Sequence, residues 1–262
     1  MRPIILLDSG VGGFSVYKPA KELLPNEDFI YIADKKYFPY GDQPAKIVQE
    51  RVFSIAQWAI ENKAKMFVLA CNTATVTAVK KLRKKYSSIP VIGMVPVIKT
   101  CVEQTKNGKI GVICTPRTAR SAYQKELITR FANDKNVYIR SCPGLVESIE
   151  SIKGHAVDNL SELQKALLYL KNKNIDTLAL GCSDFPLVKD NIQNLAGENV
   201  LILDSGGAVS RHIKRVLKNN KDLYKSNHKG RTQFYTTAKP SEFDIMIKRY
   251  LNLKSRSKLL RV

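Results

Sequence analysis

Apolar runs ending in polar, chemistry-bearing residues recur in this chain at a nearly constant interval, and that recurrence constrains the fold more than any other feature. Residues 66–76, MFVLACNTATV, form an apolar run that ends on Cys71 and is followed by Asn72 and Thr73, residue types that cap helix starts. Residues 177–188, TLALGCSDFPLV, repeat the design with Cys182, Ser183 and Asp184, and the two cysteines are 111 positions apart. Three further pairs match at about the same spacing: IILLDSG with KIGVICTP, DFIYIAD with NVYIRSC, and PVIGMVP with NVLILDSG. Chance similarity of one pair does not explain the series. Two similar domains facing each other do, with a thiol on each wall of one cleft.

Strand-like runs alternating with helical periods predict an α/β fold, with two pseudo-symmetric open parallel-sheet domains and the active site in the cleft between them. Ligands of such sheets bind beyond the carboxyl ends of the strands, where Asp8, Cys71 and Cys182 all fall. The expected division is residues 1–97 plus 208–262 for the first domain and 98–207 for the second. Helices are expected over residues 43–62 (Ile47, Val48, Val52, Ile55, Trp58 and Ala59 inward) and 73–86. A crossing helix is expected from Pro96, and another over 205–218 that returns to the first domain. Residues 219–230 are expected to be a mobile polar loop, SEFDIMIKRYLN a helix capped by Ser241, and the residues from Leu253 a loose basic tail.

Composition narrows the function. No apolar run reaches the roughly 18 residues of a membrane span, and the N-terminus enters a strand at once, so a soluble cytoplasmic protein is expected. The five cysteines, Cys71, Cys101, Cys114, Cys142 and Cys182, are odd in number and contain no CxxC pair, which argues against a disulfide framework and a structural zinc site. Cys101, Cys114 and Cys142 lie in apolar segments or beside a proline and read as small buried side chains. Net charge is +20, from 43 Lys and Arg against 23 Asp and Glu. That charge attracts small anionic substrates and permits nucleic-acid contact, but it is scattered, and no zinc-finger, RNP or helix-turn-helix pattern accompanies it. In DSGVGGFSV, Gly10, Gly12 and Gly13 allow backbone amides to approach an anion, yet Ser15 stands where a dinucleotide fingerprint needs glycine, and no GK[ST] follows.

Two thiols in equivalent positions suit a reaction whose substrate and product are mirror images. One thiolate removes a proton from carbon while the opposite thiol supplies one to the other face, which is racemisation or epimerisation beside a carboxylate. A lone catalytic cysteine normally works with a histidine, and His155, His212 and His228 all sit in ordinary helix or loop contexts. The helix that starts after Cys71 is expected to lower that thiol's pKa. Singly, these residues also admit structural readings: Asp8 as a strand-end cap, Tyr40 as a half-buried aromatic, and Asp184 as a helix-start carboxylate.

DSGVGGFSV, ADKKYFPYG, ACNTATV, TPRTA, the CP followed by VESIE, GCSDFP, LDSG and QFYTTA, in this order and spacing, resemble the cofactor-independent glutamate racemases of the aspartate/glutamate racemase superfamily. The resemblance runs from Ile4 to about Leu251. It implies Cys71 and Cys182 as paired acid and base, Asp8 as assistant of the first, and no pyridoxal phosphate or metal. Ser9, Tyr40, Gly41, Asn72, Thr73 and Ser183 would hold the ammonium and carboxylates of the substrate. Asp34, Thr115, Thr118 and Glu150 are implied as supporting residues. It further implies a small anionic amino acid as partner, a homodimer as one assembly, and D-glutamate for peptidoglycan synthesis as product. One departure stands out: the family reads GCTHYP where this chain reads GCSDFP, so Asp184 replaces the histidine beside the second cysteine. A carboxylate at that place is found in aspartate racemases. An aspartate or broad-specificity acidic amino-acid racemase, and a catalytically silent basic binding protein, therefore stay open as alternatives.

Overall fold

The structure is a computed structural model that describes residues 2–152, 160–224 and 229–262. The first strands are β1 (Ile4–Asp8), β2 (Phe29–Ala33), β3 (Met66–Leu69) and β4 (Val91–Gly93). Their counterparts are β5 (Lys109–Cys114), β6 (Asn136–Ser141), β7 (Thr177–Gly181) and β8 (Leu201–Leu203), and the chain finishes with β9 (Thr232–Thr236) and β10 (Lys258–Leu259). One sheet has the order β10-β9-β2-β1-β3-β4 and the other β6-β5-β7-β8. All pairings are parallel. The second sheet therefore reproduces the β2-β1-β3-β4 order of the first, as matched runs in the sequence require.

Alternation within the strands feeds two cores per sheet. In β1, Ile4 and Leu6 join Phe29, Tyr31, Met66 and Val68 on one face, while Ile5 and Leu7 join Ile30, Ile32, Phe67 and Leu69 on the other. A strand buried on both faces must be apolar throughout, which is why IILL and MFVL are unbroken. The helix Gly206–Asn219 places Val209, Ile213 and Leu217 in the core of the first sheet and approaches the helix Phe14–Leu23, where the Ser210 hydroxyl donates to the Val16 carbonyl at 3.1 Å. The helix Ala45–Glu61 covers the other face; Ile47 and Trp58 are only half-buried, and Arg51 points inward beside Val48 and Val52. No helix among the described residues is long and apolar enough to cross a membrane.

Two expectations need correction. The residues after Leu253 are not a loose tail: β10 pairs with β9, Leu260 is buried in the core, and the Val262 carbonyl accepts from Arg51 Nη1 at 2.8 Å. Two exposed residues suffice for the strand here because β9 leaves an open parallel edge, and Leu260 just beyond them supplies the buried contact. The last long helix is Pro240–Leu251, with Lys239 rather than Ser241 at its N-cap; proline, whose missing N–H costs nothing in the first turn, starts it two residues earlier. Of the segment 219–230, residues 225–228 lie outside the described residues, as do His155 and His228. Its described flanks are tied down: the Tyr224 amide donates to Glu27 at 2.7 Å, and Lys65, paired with Glu27 at 2.5 Å, donates to the Asp222 carbonyl.

At the end of β2, Asp34 accepts from Arg51 Nε and Nη2, both at 3.0 Å, from the Tyr40 hydroxyl at 2.6 Å and from the Thr237 hydroxyl at 2.7 Å. This fully buried carboxylate is balanced chiefly by one guanidinium. Arg51→Ala should lower folding stability by about 3–5 kcal/mol, the usual cost of stranding a buried charge, read as a shift in the urea midpoint.

Candidate active site

The carboxyl ends of β1, β3, β5 and β7 converge on one buried polar cluster. β1 delivers Asp8 and Ser9, the turn after β3 delivers Cys71, Asn72 and Thr73, and the turn after β7 delivers Cys182, Ser183 and Asp184. None of these side chains is more than 5 % exposed. Cys71 is the N-cap of the helix Asn72–Lys85, while Asp184 precedes a 3-10 turn at Phe185–Val188.

The two halves are joined by hydrogen bonds through the cluster itself. The Ser183 hydroxyl donates to Asp8 Oδ2 at 2.9 Å, and Asp8 Oδ1 accepts the Gly10 amide at 2.7 Å. Glu150, at the end of the short helix Leu145–Ile149, accepts the Val11 amide at 2.8 Å and pairs with Lys35 at 2.7 Å. On the other side, the Thr73 hydroxyl is 2.9 Å from that of Thr115 and 3.4 Å from that of Thr118. The glycine-rich turn explains how the walls come so close. A Cβ on Gly12 would lie 2.6 Å from the Asp184 amide nitrogen, and one on Gly10 would collide with the Glu150 carboxylate. Glycine is needed here for close approach of two chain segments.

Burial dominates the electrostatics. Asp8 is pushed up to about 7 by burial and by the charge of Glu150, against the pull of the Gly10 amide, Ser183 and Lys35. Asp184 is raised well above the ordinary carboxylate range by burial, then by Glu150 and Asp8. The thiols also move upward. Cys71 is raised by burial and Asp8, with Asp184 adding to the rise, while the Ala74 and Thr73 amides pull the other way. Cys182 is raised by burial and Asp184, with smaller pushes from Cys71 and Asp8. The expectation of a depressed Cys71 thiol is thus overturned: the helix-start amides are present, but the loss of water and the adjacent carboxylates outweigh them. The Cys182 thiol donates to Asp184 Oδ2 at 3.5 Å, so each thiol has an electrostatically coupled carboxyl: Asp8 for Cys71 and Asp184 for Cys182.

Both side-chain amide atoms of Asn72 are buried with no hydrogen-bond partner, whereas Asp184 Oδ1 lacks an N–H or hydroxyl donor but has the Glu150 carboxyl as its neighbour. Such orphans are uncommon in cores and mark places where a polar ligand is received. Tyr40 is fully buried with its hydroxyl committed to Asp34, and Gly41 packs on Thr115. Asp34 sits behind Tyr40 as a structural hub, not in the cluster. His212 lies in the helix Gly206–Asn219, next to Arg215. Sequence reasoning missed Lys35 and the Val11 amide as partners of Glu150. The KK after Asp34 carries no local signal of a contact made 115 residues away.

Comparison with known proteins places this arrangement. The family model described as Asp/Glu/Hydantoin racemase matches residues 20–213. Glutamate racemase of Pseudomonas paraeruginosa is 38% identical over 242 residues, which is 92% of this chain and 91% of that protein. The crystal structure of glutamate racemase isoform RacE1 from Bacillus anthracis superimposes with a TM-score of 0.90 at 31% identity, covering 100% of this chain and 98% of that one. Glutamate racemase from Francisella tularensis in complex with D-glutamate gives a TM-score of 0.86 at 30% identity, over 99% of this chain and 97% of the other. Similarity of this extent, spanning both sheets, means that the chain belongs to the Asp/Glu racemase family and, within it, to the glutamate racemases.

Proposed function

We propose that the chain interconverts L- and D-glutamate with Cys71 and Cys182 as the proton-transferring groups, and supplies D-glutamate for peptidoglycan synthesis in the cytoplasm. The observation that carries the catalytic assignment is the pair of buried thiols at equivalent strand ends, each coupled to a buried carboxyl of raised basicity. One thiolate takes the α-proton, leaving a planar carbanion conjugated with the α-carboxylate. The opposite thiol returns a proton to the other face, so the substrate is inverted and the thiol–thiolate pair exchanges roles. A thiol pushed upward is a stronger base toward carbon, and the substrate's ammonium group brings the positive charge that stabilises its thiolate. Asp8 and Asp184 accept the thiol protons in turn. Asn72, with unpartnered donor and acceptor, binds a substrate carboxylate or ammonium together with Ser9, Thr73, Ser183 and the Tyr40–Gly41 turn. Thr115, Thr118 and Glu150 hold the two walls at their working separation.

Incubation of the pure protein with L-glutamate, D-glutamate or L-aspartate in deuterated water tests this, with the α-proton NMR signal followed over time and no cofactor added. Both glutamate enantiomers should lose the signal and converge on a racemic mixture, with aspartate exchanging at least about tenfold more slowly, the discrimination that one methylene supports. Faster exchange of aspartate would transfer the assignment to an aspartate racemase. Exchange of neither would leave a binding protein.

A further inference from the structure

Three buried carboxyl groups, Asp8, Glu150 and Asp184, stand together at the thiols. Among the described residues, the Lys35 ammonium is the one cation at ion-pair distance from any of them. It reaches Glu150 from the opposite half of the molecule: the short turn Lys35–Tyr37 follows β2, while Glu150 ends the helix Leu145–Ile149. Nζ lies 2.7 Å from Glu150 Oε2 and 3.9 Å from the centre of the Phe38 ring, and Phe38 in turn packs on the core of the second sheet. The Lys35 side chain is only 20 % exposed, so salt screens the pair weakly. After burial, the charge of Glu150 is what raises Asp8 and Asp184 most, and Glu150 also shares a hydrogen bond with Asp184. Lys35 opposes that rise at Asp8. The other groups that feel the Glu150 charge are acids or phenols. Glu147 lies on the same helix, with Asp42 approaching it from the first half, and the Tyr31 and Tyr250 hydroxyls donate to the Gly10 and Ile149 carbonyls at 2.9 and 2.6 Å. Arg249, beside Tyr250, donates instead to the Ser151 and Ile152 carbonyls.

We propose that Lys35 is a positioning residue for the racemisation: reaching across the seam, its ammonium holds Glu150 in place and offsets its charge, which keeps both Asp8 and Asp184 able to accept the protons of their thiols. No proton passes through Lys35; it acts through Glu150. Without it, the uncompensated Glu150 anion repels a second negative charge beside it, so the base forms of Asp8 and Asp184 accumulate only at higher pH. One cation thereby sets both half-sites alike, which suits a reaction run in both directions. The proposal rests on the racemase reading; the electrostatic link between Lys35 and the two carboxyls does not.

The test follows α-proton exchange of each glutamate enantiomer against pH, beside a carbon-13 NMR titration of the side-chain carboxyls in aspartate-labelled full chain without substrate. Lys35→Met and Lys35→Gln should each displace the limb that rises with pH upward by about one unit for both enantiomers, the size that follows from losing one nearby opposite charge. The highest-titrating labelled carboxyls should move with it. On that limb one unit is about a tenfold slower kcat at fixed pH, with KM changing less. Lys35→Arg should restore the wild-type profile, and Lys36→Met, which removes the same charge from an exposed neighbour, should leave it in place. Lys35→Gln keeps a donor for Glu150 and so separates the charge from the hydrogen bond; it also carries the test if Lys35→Met fails to fold by circular dichroism. Rescue by glutamine, lost activity with both profiles unmoved, or equal displacement by Lys36→Met would overturn the proposal. A rise in KM alone would make Lys35 a substrate-attracting residue and overturn it too. Carboxyls that move with Lys35 in a protein whose wild type exchanges no α-proton would count against the racemase reading alone.

Discussion

Cys71→Ser and Cys182→Ser should each lower glutamate racemisation by about a thousandfold or more, with the fold retained. A serine hydroxyl is far less acidic than a thiol, so it neither reaches the anionic form needed to remove the α-proton nor replaces a thiol as a matched acid; positioned acid–base groups contribute roughly 10²–10⁴-fold each. The two losses should be similar because inversion needs both faces. Both side chains are buried at strand ends, and sulfur-to-oxygen replacement keeps their shape, so thermal unfolding should shift little. Racemisation at near wild-type rate by either variant would remove the two-thiol mechanism.

Asp184→Asn is the second large effect, and it should be asymmetric. The Cys182 thiol donates to Asp184 Oδ2, and burial together with Glu150 and Asp8 raises the basicity of that carboxyl. Asparagine keeps the size and a carbonyl acceptor but cannot take a proton. Proton removal by Cys182 should therefore fall by about a hundredfold, in the range for loss of a general base, and removal by Cys71, served by Asp8, should fall much less. Initial α-proton exchange from each enantiomer, measured separately in deuterated water, reads the two faces. The sign of the pH effect follows from the raised carboxyl: it stays protonated to higher pH than an ordinary aspartate, and its base form accumulates as pH rises. Exchange through Cys182 should climb toward alkaline pH in the wild type, and the variant should lose that limb. Equal losses for both enantiomers, or none, would leave Asp184 as a helix-start carboxylate and nothing more.

The matched apolar runs made two parallel sheets legible before any coordinates, because a strand buried on both faces has to be continuously apolar and its echo about 106 to 111 residues later is visible by inspection. The positions of Asp8, Cys71 and Cys182 at strand ends followed from the same runs. The edge strand β10 was not legible: two residues within LKSRSKLLRV have no periodicity to read, and their partner β9 supplies the order. Arg51 was hidden in the same way, as a cation within an apolar helical stripe whose reason for facing inward is Asp34, seventeen residues earlier. The thiol chemistry shows the limit most clearly. Local sequence puts Cys71 at a helix start and predicts a depressed pKa, but the sign is reversed by burial and by carboxylates from distant strand ends and from the opposite wall. Periodicity, capping and strand-end placement act over a few neighbouring residues and are written in the order of the chain. Desolvation, the Glu150–Lys35 pairing and the meeting of Thr73 with Thr115 depend on which distant surfaces are pressed together, and these exist only once both sheets have closed on each other.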